Sequence, residues 1–507
     1  MRKKRAEGQI TVFMALSITI ILSVLLSAVE SARIYTAKLF EQSACELAVE
    51  SVLAEYNIPL YEQYGIFAVD GGNRDLSKDL LDYAKANETK GFFKFEVKGA
   101  YAAECVLLTD MERKPLEKEI IQYMTASQGK KLIEGLWEKT DTEKLSEAEK
   151  SKSVLSDDIV NKEAKAEADR KKMESQDDGS EEESDLSERQ EDVKKVKDPR
   201  KSLMDLLKDG LLKLVLPEGT EVSENILKET ETSVPEEAMC RGVKNFEDSH
   251  EVTEFLDSIE LDGEGEKITD KLSSGLIINE YMLTHFKQAV LPEKDYECSS
   301  YTTQLQYENE YLICGHKKDR DNLLDTLNRI LLIRTAFNTA HLLTDTGKTS
   351  QAHSVASALT VLLPFLEPVV YTLIIAAWAY AEGVMDIKAL MDGKKVALTK
   401  NVNNWKLSLS ALSSGTLNEG TGDKNGLDYE DYLRILLTLT DKEKKLQRME
   451  NLLQANIRLL PGYEQFSLKQ CYYGITCYFE CALPSLFGTY TGRYGSYTSN
   501  YQWSECY

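Results

Sequence analysis

The sequence lacks an active-site signature. It contains no HExxH, no GxSxG and no glycine-rich turn opening a helix after a strand. Histidine is scarce: the five residues, His250, His285, His316, His341 and His353, never fall at metal-ligand spacing with another ligand. Positive charge is also in deficit, with 61 Lys and Arg against 84 Asp and Glu and a net charge of −23. Nucleic acid and anionic lipid both need a basic face, so neither is expected as a partner of the chain beyond residue 30. Phe, Trp and Tyr are missing from Glu138 to Asn245, and Gly and Pro are missing between Gln9 and Ile58. The first gap removes the largest core side chains, and within it the charged residues 141–200 cannot bury enough apolar surface to offset chain entropy, whereas KSLMDLLKDGLLKLVLP after Pro199 reads as a return to ordered helix and extended chain. The second removes every helix breaker from the run it covers.

Two near-motifs fail on spacing. DTGKTS at Asp345–Ser350 ends like a phosphate loop, but the required earlier glycine would stand where Leu342 is, so backbone amides cannot wrap a phosphate. DKNGLD at Asp423–Asp428 has a displaced glycine and no twelfth-position Glu, and reads as a turn instead of a calcium loop. Nine cysteines, an odd number, leave at least one thiol over. Cys471, Cys477 and Cys481 match no zinc knuckle. They alternate with Tyr473, Ile475 and Phe479 along one strand face, where residues four apart lie roughly 13 Å apart, too far to bridge one another. They are expected as buried thiols behaving as small apolar side chains.

What is present begins at Ile10–Val29, twenty residues without charge, Pro or Gly. As a helix they span roughly 30 Å, the hydrocarbon thickness of a bilayer. Ile10, Phe13, Leu16, Ile20, Leu25 and Val29 are among the expected membrane-spanning positions. A cleaved secretory signal has an apolar core of about 7–15 residues, and a soluble core helix keeps a polar face; the length and uniform apolarity favour a retained anchor. Arg2, Lys3, Lys4 and Arg5 precede it, whereas Glu30, Arg33, Lys38 and Glu41 follow it. The basic excess puts the N-terminus in the cytoplasm and residues 30–507 outside. The helical pattern continues to Pro59, with Ala37, Phe40, Ala44, Leu47, Ala48 and Val52 on one face of an expected stalk.

Beyond the stalk, Tyr61, Tyr64, Ile66 and Phe67 are expected to dock its end, and Gly71-Gly72 to turn the chain. Phe93, Phe95 and Val97 alternate with charges, a half-buried strand. Residues 141–200 hold 20 Asp or Glu and 13 Lys or Arg without a sustained heptad, and read as a disordered insertion. Lys267–Ala289 and Asp319–Leu343 read as helices, and Leu305–Gly315 as a strand. Pro364, Glu367 and Pro368 interrupt a second apolar region and leave Val369–Ala381, 13 residues, a length suited to a helix buried in protein and short for a membrane span. Glu382 and Asp386 follow one helical turn apart. They form a candidate acid pair, for which capping of the helix exit or pairing with Lys388 is the simpler role. After a helix at Tyr429–Leu460, QFSLKQCYYGITCYFEC alternates well enough to pair with Phe92–Leu107, bringing both ends of the chain into one sheet.

GQITVFMALSITIILSVLLSAVESARIY resembles the N-terminus of TadE/TadG-type pilin-like proteins. LYEQYGIFAVDGG, DPRKSLMDLL, INEYMLTHF, EYLICGHKKDRDNL and AAWAYAEGVMDIKALMDGKKVALTK together resemble DUF5702, a family of Gram-positive surface proteins associated with Tad-like secretion clusters. The resemblance implies a minor pilin-like subunit or assembly scaffold, and carries no catalytic residues with it. Class III processing cuts after a glycine; Gly8, followed by Gln9, is the candidate junction, although the usual fifth-position Glu is Phe13 here.

The expected fold is therefore α+β and helix-rich. Its parts are a basic cytoplasmic tail (1–9), a transmembrane helix (10–29), a helical stalk (30–58), a first part of an external head (59–140), the charged insertion (141–200), a helical main part (201–460) and a Tyr- and Cys-rich β tail (461–507). The antiparallel sheet would draw on N- and C-terminal strands. The expected role is non-enzymatic. Expected partners are the lipid bilayer and other pilin-like or secretion-apparatus subunits, with no cofactor, metal, nucleic acid or small-molecule substrate. The alternatives are a stand-alone surface sensor or adhesion protein, and a hydrolase with an unfamiliar site near Glu382 and Asp386.

Overall fold

A computed structural model describes residues 2–128, 197–228, 271–291, 301–416, 422–486 and 496–507, apart from 73, 209, 218, 424 and 425. The expected charged insertion lies almost wholly outside the described residues, as do Cys240, His250 and Cys298. The chain divides into two compact units.

The first unit is built from the chain's two ends, Met1–Tyr123 and Ile457–Tyr507. Helix α1 (Arg2–Leu53) is unbroken for 52 residues, as the absence of Gly and Pro dictates. It is long and apolar enough to cross a membrane, and its most apolar window is 0% buried. From Glu30 onward one face turns inward, and Ala37, Glu41, Ala44, Cys45, Ala48, Val49 and Val52 are buried. Phe40 and Leu47 were expected on this face but stand exposed. The packed stripe runs through small residues that let the helix approach the sheet, and the bulkier side chains sit to its side.

Helix α2 (Ile58–Tyr64) starts with an Asn57 cap and ends at Gly65 in the left-handed conformation. Phe67 stacks on Tyr61 and Tyr507 at centroid distances of 4.3 and 5.5 Å, so the expected aromatic docking site exists. Strand β1 (Val69–Asp70), helix α3 (Leu76–Ala86), strand β2 (Glu96–Leu107) and helix α4 (Asp110–Gln128) follow. Strand β3 (Cys471–Pro484) is central, pairing antiparallel with β2, with β1 and with β4 (Ser496–Cys506). Ala100 lies opposite Phe479 and Cys105 opposite Ile475, so both chain ends do share one sheet. Cys471, Cys477 and Cys481 are buried on β3 as free thiols.

The second unit comprises the described parts of Met124–Glu229 and Ile268–Asn456. Asp198 caps α5 (Pro199–Leu207), with Pro in its first turn; α6 (Leu211–Val215) and α7 (Lys271–His285) follow. The expected strand at Leu305–Gly315 is instead helix α8 (Glu308–Cys314), closed by Gly315 at φ 81°. Glu308 through Ile313 are all buried, so no polar face marks the helical period and the alternation of Tyr307, Tyr311 and Ile313 is incidental. Helix α9 (Asp319–Thr344) matches expectation, and Asp345 caps α10 (Thr346–Leu359) by accepting from the Gly347 and Lys348 amides.

Helix α11 (Glu367–Met391) is 25 residues, well beyond the 13 expected. Pro368 sits in its first turn, where a missing N–H costs nothing, and Glu382 and Asp386 lie inside it. Pro364–Met391 is also long and apolar enough to cross a membrane, but 61% of its apolar window is buried in protein. Gly383 lets α11 close on α9, since a Cβ there would lie 2.9 Å from Leu331 Cδ1. Helices α12 (Leu409–Ser414), α13 (Tyr429–Leu439) and α14 (Lys442–Ile457) complete the unit.

Candidate functional site

Two sites emerge, one in each unit. In the first, the described side chains of α1 separate into two regimes. Ile10, Phe13, Leu16, Ile20, Leu25 and Val29 are all exposed. Gly8 and Gln9 lie within the helical backbone of α1. The next residue after the apolar run, Glu30, is buried together with Arg33. Arg33 donates to both Glu30 oxygens at 3.0 and 2.8 Å, to the Pro484 carbonyl at 2.6 Å and to the Phe92 carbonyl at 3.4 Å. The Leu486 amide donates to Glu30 Oε1 at 3.2 Å. The Arg33 hydrogen bonds hold Glu30 below its ordinary carboxylate range. This latch joins the end of the apolar run to the end of β3. Three helical turns beyond Glu30, Glu41 Oε2 accepts from Ser499 Oγ at 2.6 Å and Tyr501 OH at 2.9 Å.

The sequence held a signal for the latch: opposite charges three residues apart, on one helix face, where an apolar run ends. Their backbone partners, more than 450 residues away for Leu486 and Pro484, left no local trace.

The second site surrounds the acid pair. Glu382 and Asp386 are 0% exposed. Lys400 Nζ bridges them, at 2.9 Å from Glu382 Oε1 and 2.7 Å from Asp386 Oδ1. Arg334 donates through Nε and Nη2 to Asp386 Oδ2 at 3.0 and 2.8 Å, and through Nη1 to the Leu398 carbonyl. Tyr432 OH lies 3.2 Å from Arg334 Nη1. Glu382 also accepts from the Lys406 and Leu407 amides. The expected exit cap and Lys388 partner are thus replaced by Lys400 and Arg334, because the helix carries both acids into the core, where only buried cations can balance them. Burial pushes Asp386 upward, but the charges of Arg334 and Lys400 overbalance it and hold the carboxyl below its usual range.

Lys406 completes the cluster differently. Its Nζ is buried without a hydrogen-bond partner, 3.8 Å from Asp386 Oδ1. Burial lowers its pKa, with the neighbouring Lys400 charge acting in the same direction. Three cations therefore face two carboxylates, and both carboxylates are fully engaged. Such an arrangement can fix α11 against α9 and the Lys400–Leu407 segment. It presents no uncommitted acid for proton transfer.

The described histidines lie elsewhere. His285 Nδ1 is 3.1 Å from the Tyr281 carbonyl, His316 pairs with Asp325, His341 Nε2 is 3.2 Å from Lys348 Nζ, and His353 pairs with Glu367. Among the described residues, no three His, Cys, Asp or Glu side chains converge as a metal-holding group. Sequence reasoning missed a further buried carboxylate set. Glu308 and Glu310 are pushed up to about 7, principally by burial. Glu308 accepts from the Lys287 amide, and Glu310 Oε1 from the Ala289 amide and Tyr429 OH.

Comparison with curated proteins and with solved structures yields no match. Residues 189–483 match the family described as "Family of unknown function (DUF5702)". The matched span takes in α5 to α14 and almost all of β3, and leaves α1 and the LYEQYGIFAVDGG stretch outside. With more than half of its 507 residues covered, this chain belongs to the DUF5702 family.

Proposed function

We propose that the chain is a single-pass membrane protein of the cell surface that acts by packing, as a pilin-like or scaffold subunit of a Tad-type pilus or secretion assembly. The observation that carries the reading is the change of regime within one unbroken helix. Ile10–Val29 exposes an apolar surface all round, and Glu30 onward is latched into a folded head. A helix apolar on every face is suited to lipid. The basic residues at positions 2–5 favour a cytoplasmic N-terminus and an external head. In this reading the first unit's latch transmits position from the bilayer to the head, and α11 serves as a core helix.

A Gram-positive surface location and a TadE/TadG-like leader belong to the same proposal and rest on sequence resemblance. Mass spectrometry of the N-terminus of the membrane-extracted protein tests the filament branch. A chain starting at Gln9 supports pilin-type processing. An intact N-terminus favours a stand-alone anchor, whereas a chain starting beyond Val29 overturns the anchored reading altogether.

A further inference from the structure

Within the buried acid pair an amine is held against a carboxyl group. Lys400 Nζ lies 2.7 Å from Asp386 Oδ1 and 2.9 Å from Glu382 Oε1, and all three side chains are 0% exposed. The Asp386 carboxyl carbon is one bond beyond Oδ1, close to the separation of about 3–3.5 Å at which reacting atoms sit before a bond forms. Both groups are fixed in place. Asn401 Oδ1 accepts from the Asn403 and Asn404 amides at 2.9 and 3.2 Å, and the Trp405 amide donates to the Asn401 carbonyl. That turn sets Lys400 beside α11, and Nζ donates back into it, to the Asn404 carbonyl at 3.3 Å. Arg334 grips the other Asp386 oxygen, Oδ2, through two N–H groups at 3.0 and 2.8 Å.

We infer that Lys400 and Asp386 condense into an isopeptide bond, with Glu382 carrying the proton. A proton first passes from Nζ to Asp386 Oδ1 along their 2.7 Å contact, leaving an amine and a carboxylic acid. The positive charge of Arg334 opposes this step and favours the next. The nitrogen lone pair attacks the Asp386 carboxyl carbon, and the carbonyl electron pair moves onto Oδ2, where the two Arg334 N–H groups meet the oxyanion. Glu382 takes a proton from the attacking nitrogen and returns it to the Oδ1 hydroxyl, which leaves as water while Oδ2 becomes a carbonyl oxygen again. One C–N bond forms, one C–O bond breaks, and nothing is oxidised or reduced. Glu382 has no capacity to spare for an outside substrate, but the amine it already contacts is the nucleophile. Lys406 is the rival amine; its Nζ stands farther off, 3.8 Å from Asp386 Oδ1, and Glu382 reaches its backbone amide instead of its side chain. The bond removes one cation and one anion together, so the cluster keeps its surplus positive charge and Arg334 keeps an oxygen acceptor. It joins residues 14 apart, stapling the end of α11 to the segment that folds back along it, and it does not depend on which side of a membrane the head occupies.

The test uses the full-length protein purified from its native cells, denatured, reduced, digested with trypsin and mapped by mass spectrometry. The expected result is a peptide containing Asp386 joined to one containing Lys400. The joined pair should be lighter than the two together by one water, uncut after Lys400, and absent from Lys400→Arg. Glu382→Gln, which keeps the side chain's size, should slow the joining in freshly synthesised protein by about 10²-fold or more. Separate peptides alone, with cleavage after Lys400, overturn the bond. A junction through Lys406 overturns the assignment of the nucleophile, and joining at the native rate in Glu382→Gln overturns the proton carrier. Since the map is read on the unaltered chain, the bond itself is tested without any variant having to fold.

Discussion

Lys406→Met is predicted to leave the second unit at least as stable as the native protein, whereas Asp386→Ala, in the same cluster, is predicted to unfold it readily. The cluster sets Arg334, Lys400 and Lys406 against Glu382 and Asp386, all within the core. Lys406 is the surplus cation, buried without a hydrogen bond. Methionine keeps most of its length, restores charge balance and removes an ammonium that burial disfavours. The lost 3.8 Å attraction falls on an Asp386 that still has Arg334 and Lys400. The expected change is between zero and a gain of about 1 kcal/mol. Asp386→Ala strips the shared partner from two buried cations, at a cost of about 3–5 kcal/mol. At about 2–4 °C per kcal/mol for a unit of this size, its midpoint should fall by roughly 6–20 °C. Thermal unfolding of both variants, followed by near-ultraviolet circular dichroism to report Trp378 and Trp405 packing, reads the difference. A Lys406→Met midpoint as low as that of Asp386→Ala would refute the charge accounting.

Glu310→Gln tests the carboxylates raised by burial. With a folded pKa of about 7 against an ordinary 4.5, the native state keeps a proton that the unfolded chain has released. Its contribution is full below about pH 4.5, falls as pH rises through 7 and is flat above, an amplitude on the order of 3 kcal/mol. The variant should therefore gain on the native protein between pH 5 and pH 8, as compared by denaturant midpoints. Arg33→Ala removes the Glu30, Phe92 and Pro484 contacts and leaves Glu30 buried, at about 3–5 kcal/mol. Hydrogen exchange should speed up around residues 30–41 and at the end of β3, and not in the second unit. Gly426→Ala drives a methyl group into the Val396 backbone and should cost about 1–3 kcal/mol by breaking the Val396–Leu427 bridge, measurable by denaturant titration.

The features legible in the sequence share a local cause. An uninterrupted α1 follows from the missing breakers, and the β2–β3 pairing from the alternating residue pattern of the two segments, although β3 is buried on both faces over Cys471–Cys477. The α9 helix shows its period because one side meets solvent. Where burial is complete, the period disappears, so α8 reads as a strand and α11 reads as ending at Ala381. Glu382 looks like a stop signal because a lone carboxylate cannot enter a core. The lysine that admits it is 18 residues away and the arginine that holds Asp386 is 52 away, distances at which sequence spacing carries no information. The same holds for Glu30 and Arg33, visible as a charge pair but not as a latch.

Protease treatment of intact cells, followed by separation of membrane and soluble fractions, decides whether α1 anchors an external head. The head should be cut away while a fragment containing α1 stays in the membrane with its N-terminal end protected. A full-length chain recovered in the soluble fraction, or a head left whole by protease at an accessible cell surface, would contradict it.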